Sequence, residues 1–360
     1  MAPSKESFRF PAEWEPHQAC WLAWPSHLDL WREQLPYVQE QFIALCQAIA
    51  WVPPGAAPAC GKPREKLQVL VPFDQAKREA EKALSGLPVE FHDVPFGDIW
   101  LRDTAPLFVR NWKNELVSQC FQFNGWGNKY LLEFDPSVSG RIAQILLKKS
   151  GIASLSQNWV LEGGSIDVDG LGTALSTKQC LLNPNRNPHL SQVAIEQELD
   201  QSLGIKKVIW LNHGLLNDHT DGHVDNIARF VAPSTVVCME PSVSPSFGDD
   251  PNAQTLLQIK ADLEGSTDAQ GNPLRVVCIP SPGCILGEQG QPIPASYMNF
   301  YISNFTVVVP IYGSRFDEKA LERISRIFPD RRTIGLKADA ILKGGGSFHC
   351  ISQQLPLGEK

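Results

Sequence analysis

Apolar residues recur at helical spacing in five stretches that carry their own start and stop signals: "DQAKREAEKALSG" from Asp74, "SGRIAQILLKKSG" from Ser139, "SQVAIEQELDQSLG" from Ser191, "NAQTLLQIKADLEG" from Asn252 and "DEKALERISRIF" from Asp317. Each opens on a residue able to cap free amides, and most close on glycine. Short strand-like runs follow them: "VEFHDV", "WVLEG", "KVIWL", "LRVVCI" and "RTIGL". The helix starts lie roughly 50 to 65 residues apart, the spacing of a recurring supersecondary unit, although the units share no obvious sequence. Five such α/β units fill most of the chain. A further amphipathic segment, "YVQEQFIALCQAIAW", precedes them. The Pro- and Gly-rich stretch 52–66 reads as a surface loop rather than a linker, because the strand "LQVLV" follows at once. With no break in composition, residues 1–360 are expected to form a single domain.

Composition narrows the partners. The 43% hydrophobic content supplies a sizeable core. A net charge of -7 with no block of lysine or arginine disfavours nucleic acid and an anionic membrane surface. The start of the chain lacks the basic flank and apolar run of a secretory signal, and no later segment is long and apolar enough to span a bilayer. A soluble, cytoplasmic protein is therefore expected. Nine scattered cysteines without a C-x-x-C pair read as reduced thiols, mostly small buried residues.

The chemistry concentrates in a few stretches. "HTDGHVDN" sets His219, Asp221, His223 and Asp225 at alternate positions, and in an extended segment all four would line up on one side. Imidazole and carboxylate suit zinc or iron, but Gly222 interrupts any helix that would pair the two histidines. "KGGGSFHCISQQLP" runs three glycines into His349 and Cys350, where a thiol is placed like a nucleophile. "GDIWLRDTAPLFV" holds Trp100, Arg102 and Asp103, "LEGGSIDVDG" holds Glu162, and "FNGWGNKY" flanks Trp126 with glycines. Asp103, the pair His223 and Asp225, and Cys350 each follow a strand by about ten to fourteen residues, so they fall at similar points of different units.

Taken in order, "FPAEWEPHQACWLAWP", "WLRDTAP", "EGGSIDVDG", "LLNPNRNP", "HTDGHVDN" and "GGGSFHCISQQLP" resemble the agmatine deiminases, guanidine-modifying enzymes of the pentein fold, over essentially the whole chain. The resemblance implies an α/β propeller of five blades with pseudo-fivefold symmetry. It also implies Cys350 as nucleophile, His223 as general acid and base, Asp103, Glu162 and Asp225 as the acids around the substrate, and Trp100, Trp126 and Thr220 as pocket residues. Ile99, Ala105, Gly125 and Ser347 depart from the family's usual Ser, Gly, Ala and Asn or Ala; none of them is a reacting group.

Carboxylates suit a planar guanidinium with N–H donors in a fixed fork, and Asp103 and Asp225 are the expected clamp. Glu162 is left between orienting His223 and orienting the substrate. The expected ligand is a small guanidine, agmatine, with no metal or cofactor, and a homodimer is the expected assembly. Three alternatives remain: a deiminase of free or peptidyl arginine, in which Arg102 could bind a carboxylate; a metal-dependent hydrolase built on residues 219–225; and a binding protein on the same scaffold.

Overall fold

The computed structural model describes residues 7–55, 62–242 and 250–358. Four stretches of the chain repeat one local plan. In the simplest, Leu107–Arg110 pairs antiparallel with Leu116–Gln122, the helix Asp135–Ser150 crosses over, and Ala153–Val160 returns parallel. The same order recurs in Ile166–Val168, Thr173–Thr177, helix Gln192–Leu203 and Lys207–Leu211. It recurs again in Ala228–Ala232, Thr235–Glu240, helix Ala253–Glu264 and Arg275–Pro280, and in Tyr301–Ile302, Thr306–Ile311, helix Asp317–Ile327 and Arg332–Lys337. The helices supply the crossovers that parallel strands require.

The remaining unit is assembled from both ends of the chain. Gln353–Pro356 pairs antiparallel with His17–Ala23, helix Leu35–Ile49 crosses over, and Lys66–Val71 lies parallel. A second crossover, helix Asp74–Ala83, then adds Val89–Asp93 as a fourth strand. The helix predicted from Asp74 therefore belongs to this extension, and the segment read as preceding the units is the true counterpart of the other crossover helices. The five-unit count holds with that exchange. The helix predicted from Ser139 begins at Asp135 instead, with Pro136 in its first turn, where a missing amide is harmless. Ser191 caps its helix as its sequence indicates, its hydroxyl accepting from the Ala194 amide at 3.3 Å.

Residues 56–61 of the Pro-rich stretch lie outside the described residues. The stretch is not wholly a surface loop, because Glu65 is buried and accepts hydrogen bonds from Tyr301 and, at 3.2 Å, from the Asn304 amide. Units share their cores. Helix Leu35–Ile49 packs on Thr306–Ile311 and Arg332–Lys337, and Asp317–Ile327 packs on Arg275–Pro280, each reaching the preceding unit. Among the described residues no helix is long and apolar enough to cross a membrane.

Candidate active site

The innermost strand of each unit is almost wholly buried, and the connection that leads into it delivers a polar side chain. Asp103 lies on the short helix Leu101–Thr104 just before Leu107–Arg110, and Glu162 stands just before Ile166–Val168. His223 and Asp225 precede Ala228–Ala232, Asn299 precedes Tyr301–Ile302, and Cys350 precedes Gln353–Pro356. All five connections thus converge on one place.

Cys350 is buried there. Its thiol donates to Asp225 Oδ2 at 3.4 Å and accepts from Asn299 Nδ2 at 2.9 Å. The other end of the Asn299 amide accepts from the backbone of His349 at 3.0 Å and of Cys350 at 3.2 Å, so one side chain fixes both the thiol and the loop that carries it. Burial raises the thiol well above its ordinary range, and the Asp225 and Asp103 carboxylates push the same way. With no guanidinium bound, the sulfur is protonated.

His223 shows how closely the acids gather. A Cβ on Gly164 would lie 2.6 Å from His223 Nδ1, 3.0 Å from Asp103 Oδ1 and 3.2 Å from Asp225 Oδ2, so three reactive groups surround one missing methyl. Burial alone would lower the imidazole pKa. The Asp103 carboxylate, the neighbouring Cys180 and the Glu162 carboxylate together outweigh it and hold the ring well above its usual range. Asp103 Oδ1 accepts from the Gly164 amide at 2.9 Å and Oδ2 from the Trp126 indole at 2.8 Å, and burial raises its pKa. Glu162 Oε1 accepts from Arg186 Nε at 2.7 Å. Asp225 Oδ1, Glu162 Oε2 and both ring nitrogens of His223 are buried without a partner.

The chamber above them has a volume of about 310 Å³ and is walled by Trp31, Trp100, Trp126, Tyr130 and Thr220, with Cys350 at its base. Asp98 fixes two of these walls, accepting from the Trp31 indole at 3.0 Å and the Trp100 indole at 2.7 Å. The indoles lie directly on Gly344 and Gly346, so the glycine run exists because any side chain there would collide with a tryptophan. Thr220 lines the chamber and also accepts from the His223 amide at 3.1 Å.

The four alternate residues of "HTDGHVDN" do not line up. The segment turns through left-handed conformations at Asp221 and Gly222, with φ of 66° and 88°. His219 is sent to the chamber mouth, where its ring stacks on Tyr130 and accepts or donates at 2.9 Å. Asp221 turns away to Lys129 and Arg186, at 2.5 and 2.6 Å. Among the described residues, the group whose ligand atoms lie within 4.8 Å of one another is Glu162, Cys180 and His223, and Arg186 already occupies one oxygen of its carboxylate.

Several site residues escaped the sequence reading. Asn299 sits in "SYMNFYI", which offers no motif. Glu13, Arg186 and His349 lie inside the quoted motifs but without a role, because what they touch is remote in sequence. Arg102 was considered as a carboxylate binder; it is turned from the chamber and donates to Glu13 Oε1 at 3.0 Å and to the His349 carbonyl at 3.4 Å.

Five α/β units that gather a thiol, an imidazole and three carboxylates into one buried cluster define the guanidine-modifying class of the pentein fold. The chain belongs within it to the Porphyromonas-type peptidyl-arginine deiminase family, whose model matches residues 9–356. A Legionella pneumophila protein that carries the provisional name agmatine deiminase is 38% identical over 362 residues, covering 100% of this chain and 98% of that one. The solved agmatine deiminase of Enterococcus faecalis superposes with a TM-score of 0.86 at 33% identity, covering 97% of this chain and 96% of its own. A Porphyromonas gingivalis structure provisionally named an arginine deiminase has the same score and identity, at 98% and 99% coverage. Similarity alone therefore leaves the substrate to be argued from the pocket.

Proposed function

We propose that the protein is an agmatine deiminase, a single catalytic domain that hydrolyses agmatine to N-carbamoylputrescine and ammonia through a covalent intermediate on Cys350. The observation that carries this reading is the set of buried atoms left without partners: Asp225 Oδ1, Glu162 Oε2 and the two nitrogens of His223, around one thiol. Leaving a buried acceptor unpaired costs about 1–3 kcal/mol, more for a charged group. A planar cation rich in N–H donors satisfies both carboxylates and fixes its central carbon over the sulfur. The free oxygens favour Glu162 and Asp225 as the primary clamp. Asp103 offers only its second lone pairs, because a backbone amide and an indole already hold its oxygens.

The guanidinium also supplies the charge that the thiol lacks. Its arrival beside Asp225 offsets the repulsion of the carboxylates, Cys350 releases its proton to solvent, and the thiolate attacks the central carbon. The tetrahedral adduct is neutral. The His223 imidazolium gives its proton to one amino group, which leaves as ammonia, and a cationic amidino-thioether remains on Cys350. Neutral His223 then takes a proton from water as hydroxide adds to the same carbon. Collapse breaks the C–S bond, returns the thiolate and, with loss of a proton, releases the ureido product.

Agmatine is preferred over arginine because the cations near the chamber are engaged. Arg102 is committed to Glu13, and Lys343 at the mouth donates to Glu288 at 2.9 Å. An α-carboxylate would meet no free guanidinium, whereas an ammonium meets a wall of aromatic rings, Trp31, Trp100 and Tyr130. The volume is at the small end of the range of about 300–1,000 Å³ for ligand sites, which favours a short alkylamine over a peptide. The reduced, cytoplasmic setting belongs to the same proposal, and all eight described cysteines are free thiols. A homodimer is the assembly to look for by light scattering.

The test is ammonia release from agmatine, arginine and a peptidyl-arginine by the wild-type protein and by Cys350→Ala. Agmatine is expected to exceed the other two by at least about a hundredfold, the discrimination available when a site mispairs a charged group. The variant should release no ammonia. Arginine turned over as well as agmatine, or turnover by the variant, overturns the reading.

A further inference from the structure

Behind the chamber lies a buried charge network that the reaction scheme does not use. His349 is fully buried, with Nδ1 at 2.8 Å from Asp225 Oδ2 and Nε2 at 2.8 Å from Glu13 Oε1. Glu13 in turn accepts from Arg102 and Arg229, and Arg229 donates onward to Asp167 at 2.5 Å and to the Met298 and Phe300 carbonyls at 3.1 and 3.0 Å. A neutral imidazole carries one N–H, so against two carboxylates it would set a lone pair against an oxygen at hydrogen-bonding distance. Three carboxylates, Glu13, Asp167 and Asp225, also stand against two guanidiniums, and a protonated ring brings the buried set to balance.

We propose that His349 is an imidazolium locked between Asp225 and Glu13, a positioning residue that keeps Asp225 ionised and leaves its second oxygen without a partner. Its consequence for turnover rests on the deiminase reading; its protonation rests on geometry alone. The backbone that carries the ring is fixed, its amide tied to Asn299 and its carbonyl to Arg102. Asp225 and Glu13 face it directly, Arg102 and Arg229 lie beyond Glu13, and Cys350 and His223 lie beyond Asp225. Burial would raise both partner carboxylates. The guanidiniums and the His349 charge hold Glu13 well below its usual range, and the His349 bond and charge hold Asp225 down. The imidazolium has a second effect: it offsets part of the repulsion that Asp225 exerts on a Cys350 thiolate, without occupying the oxygen that the substrate needs.

The test has two arms. Ring spectra of protein labelled with 15N at histidine should show, at pH 7.5, one ring with both nitrogens protonated that is lost in His349→Asn. A ring that is neutral at pH 7.5 overturns the proposal, whatever the enzyme's activity. In the second arm, Glu13→Gln removes one carboxylate and keeps an acceptor. The kcat/KM for agmatine is expected to fall about 10- to 100-fold, as for other groups that orient a reacting side chain. Its alkaline limb should move to lower pH by about one unit. A profile that superimposes on the wild-type one overturns the proposal; a bare loss of folded protein in a thermal melt is separated from both by the wild-type spectrum. Failure of the deiminase reading would instead show as wild-type protein inactive on every guanidine, with the His349 spectrum unchanged.

Discussion

In the empty chamber Cys350 is a thiol, because burial and two carboxylates both disfavour its charge. Its alkylation by the neutral reagent iodoacetamide should therefore be slower at pH 7 than that of a free cysteine, itself only a few per cent thiolate. The rate should climb with pH without a plateau up to pH 9. A plateau near neutral pH, read from inactivation kinetics, would mean that a resident cation activates the sulfur before substrate arrives. Gly164 makes an equally sharp test, since its missing Cβ is the space that His223, Asp103 and Asp225 share. Gly164→Ala should lower kcat/KM by about a hundredfold, the price of an ångström of misplacement, while leaving the thermal transition near its wild-type position. The candidates nearest the chemistry were legible because thiol, imidazole and acids stand out by type. Asn299 was not: counted forward from the preceding strand, Arg275–Pro280, it lies well beyond the interval that Asp103, His223, Asp225 and Cys350 share. Counted back from the strand that follows, Asp103, Glu162, His223, Asp225, Asn299 and Cys350 all fall within about five residues of it. The inner strand's start is what the fold superimposes, and only a structure shows which strand is inner.

At the scale of elements, one carboxylate holds two separate segments together. Asp98 joins Trp31, at the end of the short helix Leu28–Trp31, to Trp100, at the start of Leu101–Thr104, and their indoles in turn rest on the glycine loop before Cys350. Burial raises Asp98 to about 6, so at pH 7 both oxygens accept, while below about pH 6 one carries a proton and holds its indole less well. The KM for agmatine should accordingly rise as pH falls through 6, with a parallel change in tryptophan fluorescence. Asp98→Ala should show the raised KM at every pH, by about tenfold or a little over 1 kcal/mol of binding. A KM flat from pH 5 to 8 would separate the two walls from substrate affinity. Helix and strand existence was readable here from periodicity and caps. The very short helices at the site, Leu101–Thr104 and Asp339–Leu342 among them, have too few turns to leave a periodic signal.

On the scale of the whole molecule, the five-unit plan was readable as a spacing, but one helix was given to the wrong place. The 52–66 stretch and the added pair Asp74–Ala83 and Val89–Asp93 push the first two crossover helices far apart, so the regular interval begins only at the second unit. The pairing of Gln353–Pro356 with His17–Ala23 spans nearly the whole chain and leaves no local pattern to read. Removing residues 353–360 should lower Tm by about 10 °C, from the loss of a buried antiparallel strand worth a few kcal/mol, and should abolish ammonia release. A truncated protein with wild-type Tm would show that the first unit does not depend on its borrowed strand.

That borrowed strand also orders events during synthesis. His17–Ala23 emerges early, and one of its edges stays unpaired until Gln353–Pro356 has been made, the arrangement that invites pairing with a foreign chain. The nucleophile emerges only three residues ahead of its closing strand, so the reactive thiol reaches its carboxylates at the moment the ring shuts. A nascent chain of this design is exposed to aggregation for as long as translation lasts, and harmless as a catalyst for the same interval.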